Sequence, residues 1–257
     1  MDTNLYINGF SSFTGDVPAE WFSPYIELRR LRRMEKIVKN TLFCSFQALE
    51  QAGLSVQEPK NMGLCIAAGA GSLENTCKFM DSIFEDGDEL SSPTAFAGSV
   101  HNSTGLALSM HLNIQGPCVT IGQFESSFPA AIMTAVSFLQ KGCCEQIVVA
   151  VADEVNPVAA DYAPKHMDLF RPLLRNVQGP FERFSAALVL GRHPQGARPY
   201  QIKSVCMRRE KKMNTTPRPI CFAQQLVDLL KTNETFSLQD IFCDTQFNLE
   251  ATPYVKP

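Results

Sequence analysis

Histidine, tryptophan and paired cysteines are what this sequence has least of. Its 257 residues include four histidines (His101, His111, His166 and His193) and a single tryptophan, Trp21. The last three histidines stand in polar surroundings that suggest no site. The nine cysteines (Cys44, Cys65, Cys77, Cys118, Cys143, Cys144, Cys206, Cys221 and Cys243) are odd in number and never spaced CxxC. That pattern speaks against both a disulfide framework and a zinc cluster. Several of them, Cys65 and Cys118 included, fall inside apolar runs and read as buried, reduced thiols. No metal and no cofactor is expected. No apolar run approaches the ~20 residues needed to cross a bilayer. The start, MDTNLYING, lacks the basic-then-apolar pattern of a signal peptide. A cytoplasmic protein without a membrane span is expected. Nor is there an excess of charge: the net value is −3 and the isoelectric point is near 5.8, which gives nucleic acid nothing to bind. Gly69-Ala70-Gly71 follows an apolar run, but no GK[ST] comes after it, so it is not a nucleotide phosphate loop.

What is present is an ordinary globular composition, 45% apolar and 19% charged, in a chain of 28.5 kDa that can bury one large domain or one and a half. Strands are expected at Leu5 to Phe10 and at Met62 to Ala68. Leu31, Met34, Ile37, Val38, Leu42, Phe46 and Leu49 predict one long amphipathic helix to Ala52, opened by a basic cluster at Arg29, Arg30, Arg32 and Arg33. The cluster is either a solvated first turn or a contact for an acidic partner. Ser72 to Phe84 is a plausible helix, followed by the acidic run Glu85 to Glu89.

The central stretch, Gly116 to Glu154, organises the rest. It reads as a buried strand (Val119 to Ile121), a tight corner (Gln123 to Ser127), a helix stopping at Gly142, and a second buried strand (Ile147 to Val151). A strand-corner-helix junction aims turn side chains and helix-start N–H groups at one small volume, where nucleophiles are often mounted. Phe184 to Leu190 is a further strand. Beyond Gly191 come a strand (Tyr200 to Cys206), a helix (Phe222 to Leu230) and a strand (Asp240 to Cys243).

Gly-Pro, an apolar strand, the corner, "AI", a helix, Lys-Gly and a strand ending Asp-Glu together resemble the nucleophile region of β-ketoacyl synthases of the thiolase fold. The resemblance implies an α/β, thiolase-like layered fold with one complete half at 1–191 and a truncated start of the second half at 192–257. It puts Glu125 at the position of the family's acyl-accepting Cys and Gln246 at that of the first catalytic His. The second catalytic His falls beyond Pro257. A carboxylate cannot hold an acyl group as a stable thioester, so a self-contained condensing enzyme is not expected. The implied role is that of a short chain-length-factor-like subunit, similar to those of aryl-polyene type fatty acid or polyketide systems. Such a subunit forms a heterodimer with an active ketosynthase and meets acyl carrier protein through that complex. Glu125 departs from the Gln usual in such factors. The resemblance further implies tunnel or interface positions at Asn75, Thr76, Ser92, Pro93, Ala95, Phe96, His101, Asn102, Cys118, Thr120, Gln123 and Phe124. An incomplete second half would leave apolar surface uncovered.

Two other readings stay open. In one, the chain is an enzyme using Glu125 as a base or Ser126 or Ser127 as a nucleophile, although the corner is not GxSxG. In the other, it is a stand-alone homodimer that binds acyl carriers or acyl chains. His101 is either a general base at the corner or a structural residue.

Overall fold

The computed structural model describes residues 4–32, 34–55, 61–87, 90–155, 182–209, 222–242 and 245–255. Eight strands form one mixed sheet in the order β3-β2-β4-β5-β1-β6-β8-β7. They are β1 (Leu5–Thr14), β2 (Met62–Ala67), β3 (Cys118–Ile121), β4 (Gln146–Val155), β5 (Glu182–Gly191), β6 (Tyr200–Arg209), β7 (Phe236–Phe242) and β8 (Thr245–Pro253). β2 runs parallel to β3 and β4, and β5 runs antiparallel to both β4 and β1. β6 joins the edge of β1 over Leu5 to Ile7 and continues into an antiparallel meander with β8 and β7.

Alternation along the strands builds two cores, one on each face. Cys65, Ala67, Ile147, Val149, Leu188 and Leu190 point to one face; Leu64, Ile66, Val148, Ala150, Ala187 and Val189 point to the other. This is why β2 and β4 read as continuous apolar runs: both faces are covered. The second face is closed by α2 (Lys36–Gln51) and α5 (Ser103–His111). The first is closed by α6 (Ser127–Gln140) and α7 (Phe222–Thr232). α6 and α7 share that core with Tyr200, Ile202, Val205, Phe247 and Leu249 of the meander, so the C-terminal strands are packed into the same interior. The buried Tyr200 hydroxyl donates to the Leu230 carbonyl at 2.9 Å and ties β6 to α7.

Three local expectations change. The helix expected from Leu31 to Ala52 is broken: a single turn, α1 (Leu28–Leu31), precedes α2, and Glu35 between them is extended (φ −64°, ψ 151°). The Glu35 carboxylate accepts the Ser72 hydroxyl at 3.4 Å. The strand expected at Asp240 to Cys243 instead starts at Phe236, and Cys243 lies outside the described residues. It is followed by β8, which the sequence reading passed over although Phe247, Leu249 and Ala251 alternate inward. The stop at Gly142 is as expected. Its φ is +70°, and the Gly142 and Cys143 N–H groups bond back to Leu139 and Phe138, a Schellman ending.

From residue 182 onward, Val255 is the one large apolar side chain exposed among the described residues. Gln246, Asn248 and Glu250 point away from the core while Phe247 and Leu249 point in, so the meander is closed by its own alternation. Exposed apolar side chains gather elsewhere: on α3 (Leu73–Asp86), α4 (Pro93–Ser99), α5 and the corner before α6.

Candidate functional site: the corner before α6 and the face around it

β3 ends at Ile121, and the chain turns through Gly122 and Gln123 into a 3-10 turn, Phe124–Ser126, which leads into α6. Phe124 holds φ +49°, a left-handed conformation that a bulky residue adopts only when its surroundings impose it. Ser127 supplies part of that constraint. Its buried hydroxyl accepts the Gln123 N–H at 2.8 Å and donates to the Phe124 carbonyl at 2.7 Å. A hydroxyl occupied in both directions and closed from solvent is a fastener, which removes Ser127 as a nucleophile. Ser126 sits half-buried at the cap of α6, its own N–H bonded to the Gln123 carbonyl at 3.0 Å. Glu125 lies in the middle of the 3-10 turn.

The loop after β2 backs the corner. A Cβ on Gly69 would stand 2.6 Å from the Phe124 carbonyl oxygen, so only glycine permits this approach. Asp153, at the end of β4, receives the Ala70 and Gly71 N–H groups on one carboxylate oxygen at 2.8 and 2.9 Å. Burial pushes the Asp153 carboxyl above its ordinary value, against these backbone bonds and the nearby His101. Glu154 holds the start of α3: its backbone N–H donates to Gly71, and its carboxylate accepts the Glu74 N–H at 2.9 Å. Its other oxygen accepts Arg183 Nε at 2.9 Å. The buried Arg183 also donates to Asp16 at 3.0 Å and to Glu74. Burial raises the Glu154 carboxyl, while the Glu74 N–H and Arg183 oppose the rise. The Asp-Glu pair that closes β4 is therefore the anchor of the corner's back wall. Sequence reasoning had it only as a pattern match and missed Arg183 entirely.

Of the positions expected to line a tunnel or interface, some are internal. Asn75 donates to the Ser72 hydroxyl at 3.1 Å and Thr76 donates to the Ser72 carbonyl at 2.9 Å, both half-buried at the start of α3. Ser92 caps α4 by accepting the Ala95 N–H at 3.2 Å and Ala95 is buried, whereas Pro93, the first residue of that helix, is exposed. Thr120 is half-buried, with its hydroxyl against Gly105 of α5. The others are open. Phe96, His101, Asn102, Cys118, Gln123 and Phe124 are exposed. The His101 ring lies beside Gly71 and Gly122, close to the corner. Gln246 is half-buried on β8, opposite Arg208 and Ile241, and its amide reaches Asn248 at 3.4 Å.

β3 is an edge strand whose outer side is unpaired among the described residues. The exposed large apolar side chains of the neighbouring segments are Phe96 on α4, Val100 just after it, Leu106 and Met110 on α5, and Phe124 at the corner. From Leu90 to Gln140 the sequence has one formally charged residue, Glu125. Burial pushes the Cys44 and Cys65 thiols up to about 12 and raises Cys144, and partial desolvation raises Cys118. Among the described residues, no group of His, Cys, Asp and Glu is arranged to hold a metal, and no helix is long and apolar enough to cross a membrane.

Solved structures share this architecture. One is the ketosynthase ApeO in complex with its chain length factor ApeC from Xenorhabdus doucetiae (TM-score 0.59, 17% identity, 88% of this chain and 81% of that one covered). A second is the ishigamide ketosynthase/chain length factor (0.60, 14%, 80% and 68%). A third is the AntDE:AntF complex of a type II polyketide acyl-carrier protein with its hexaketide-bound ketosynthase (0.77, 10%, 97% and 99%). At these identities the likeness establishes the thiolase-like fold. No protein of curated function matches the sequence. The family model for the β-ketoacyl synthase N-terminal domain matches residues 21–228, most of the chain, and the protein belongs to that family.

Proposed function

We propose that this chain is a non-catalytic, chain-length-factor-type subunit. It pairs with an active β-ketoacyl synthase and shapes the acyl tunnel while that partner elongates carrier-bound fatty acid or polyketide chains, of the aryl-polyene type among them, in the cytoplasm. In this reading residues 1–191 are the ketosynthase-like half and 192–257 begin the second half.

The observation that carries the reading is the set of exposed apolar side chains on α4, α5 and the corner after β3, in a segment whose one formally charged residue is Glu125. Charge depletion with exposed aromatic, Leu and Met side chains marks the centre of a permanent protein interface, where charge would be desolvated at a cost. An unpaired edge strand adds a row of backbone groups that a partner strand can complete. The corner supports the non-catalytic half of the proposal: the resemblance puts Glu125 where the family has its thiol, and the Ser127 hydroxyl is engaged by the Gln123 N–H and the Phe124 carbonyl. Likeness to ketosynthase/chain length factor complexes is consistent with both.

The test is co-expression with an active ketosynthase of the same system, followed by mass determination of the eluted species and a carrier-protein elongation assay. A 1:1 complex that elongates malonyl units, where neither protein does so alone, is the expected outcome. A stable homodimer with its own thioester or ester chemistry overturns the proposal.

A further inference from the structure

α3 breaks two local rules at its exposed end, and the breaches fall in register. Met80 and Phe84 stand one turn apart on the surface, with Phe84 78% exposed. Asp81 and Glu85 run beside them as a second exposed row. Like charges one turn apart repel. Glu85 lies in the last turn, where the helix dipole disfavours an acid, and no basic residue stands there. Lys78, one turn earlier, is already engaged by Glu74 at 2.7 Å. An exposed phenylalanine beside a repelling acidic row is unfavourable in an isolated chain, and such conflicts concentrate at functional positions. The ridge is also continuous with the apolar face of α4. Phe79 of α3 meets Phe96 of α4 with ring centroids 5.1 Å apart, and Leu90, 73% exposed, lies between the two helices in sequence.

We infer that α3 is the charged rim of the pairing face, and that the partner subunit lays a basic, apolar segment along it, with Lys or Arg against Asp81 and Glu85 and an apolar anchor against Met80 and Phe84. The inference rests on the subunit reading above and names the chemistry of the mate. The uncharged centre supplies buried area, whereas the acidic rim steers the encounter and selects among partners. A mate with an acidic surface at this position is rejected.

The test follows association of this chain with the active ketosynthase by stopped flow from about 25 mM to about 500 mM NaCl, where screening removes steering. Wild type is expected to associate about tenfold more slowly at the high end. Asp81→Lys with Glu85→Lys is expected to slow association at low salt and to remove or invert that dependence. Asp81→Asn with Glu85→Asn flattens it without reversing charge, which guards against misfolding of the reversed variant, and Phe84→Ala speeds dissociation. If wild type pairs but both charge variants keep its salt dependence, the rim inference falls and the subunit reading stands. If wild type does not pair, both fall.

Discussion

Replacing Arg183 by Met tests whether the back wall of the corner is held by charge. The substitution keeps an apolar stem of similar reach and deletes the guanidinium. Three carboxylates lose a partner, but they do not weigh equally. Asp16 is half exposed and water can take over, so its share is small. The Glu154 side chain is 1% exposed and, among the described residues, keeps the Glu74 N–H. Breaking a buried pair from one side costs about 3–5 kcal/mol, because the remaining charge stays desolvated. At about 2–4 °C per kcal/mol for a chain of this size, the melting temperature should fall by roughly 10 °C at pH 8. The sign with pH is also set. Burial already raises the Glu154 carboxyl, and removing Arg183 raises it further. A raised acid is tolerated while protonated and destabilises as pH climbs through its folded pKa. The loss should therefore shrink as pH falls from 8 to 5. Thermal unfolding followed by circular dichroism at both pH values reads this directly. A loss below about 3 °C at pH 8, or an equal loss at both, refutes the reasoning that a desolvated Glu154 dominates.

Gly69→Ala drives a methyl group into the Phe124 carbonyl; it should destabilise by about 1–3 kcal/mol and weaken pairing with the ketosynthase, and an unaltered midpoint in urea would contradict the close approach. Phe124→Gly relieves a left-handed aromatic residue and removes its exposed ring. The isolated chain should hold its stability or gain up to about 1 kcal/mol while partner affinity drops, and a variant that loses stability with unchanged affinity would reverse the assignment. Glu35 is raised by burial and by the charge of Glu154, so its ionised form opposes folding. Glu35→Gln should melt higher than wild type at pH 7–8, with the gap closing below the ordinary carboxylate value near 4.5; a gap independent of pH would dismiss the ionisation argument. Asp16 and Glu74 work the other way. Burial raises them, but Lys36, Lys78 and Arg183 outweigh it and hold both below their ordinary values, so the stability they confer is present above pH 4–4.5 and is lost as pH drops further.

The sheet and the central corner were legible because burial periodicity is a local property. Met62 to Ala67, Gln146 to Val151 and the α6 stripe of Phe128, Ile132, Val136 and Leu139 all declare buried faces in their own order. Glu125 likewise speaks through its chemistry alone, since no fold makes a carboxylate into a thioester carrier. The break between α1 and α2 was not legible, since the apolar spacing continues through it and the extended Glu35 backbone leaves no mark on that spacing. The anchor of the corner was not legible either. Asp153 meets Ala70 across 83 positions and Arg183 meets Glu74 across 109, and no spacing rule links such groups. Exposure was the last thing hidden. The resemblance put Phe96 at a tunnel or interface position, and only packing shows that Phe96, Leu106 and Met110 are turned outward. The sequence alone determined most of the strands and helices around the central corner, where the apolar runs are local. The tertiary structure decided where the corner is fastened and which apolar surface is left for a partner, because both depend on groups that meet only when the sheet is assembled.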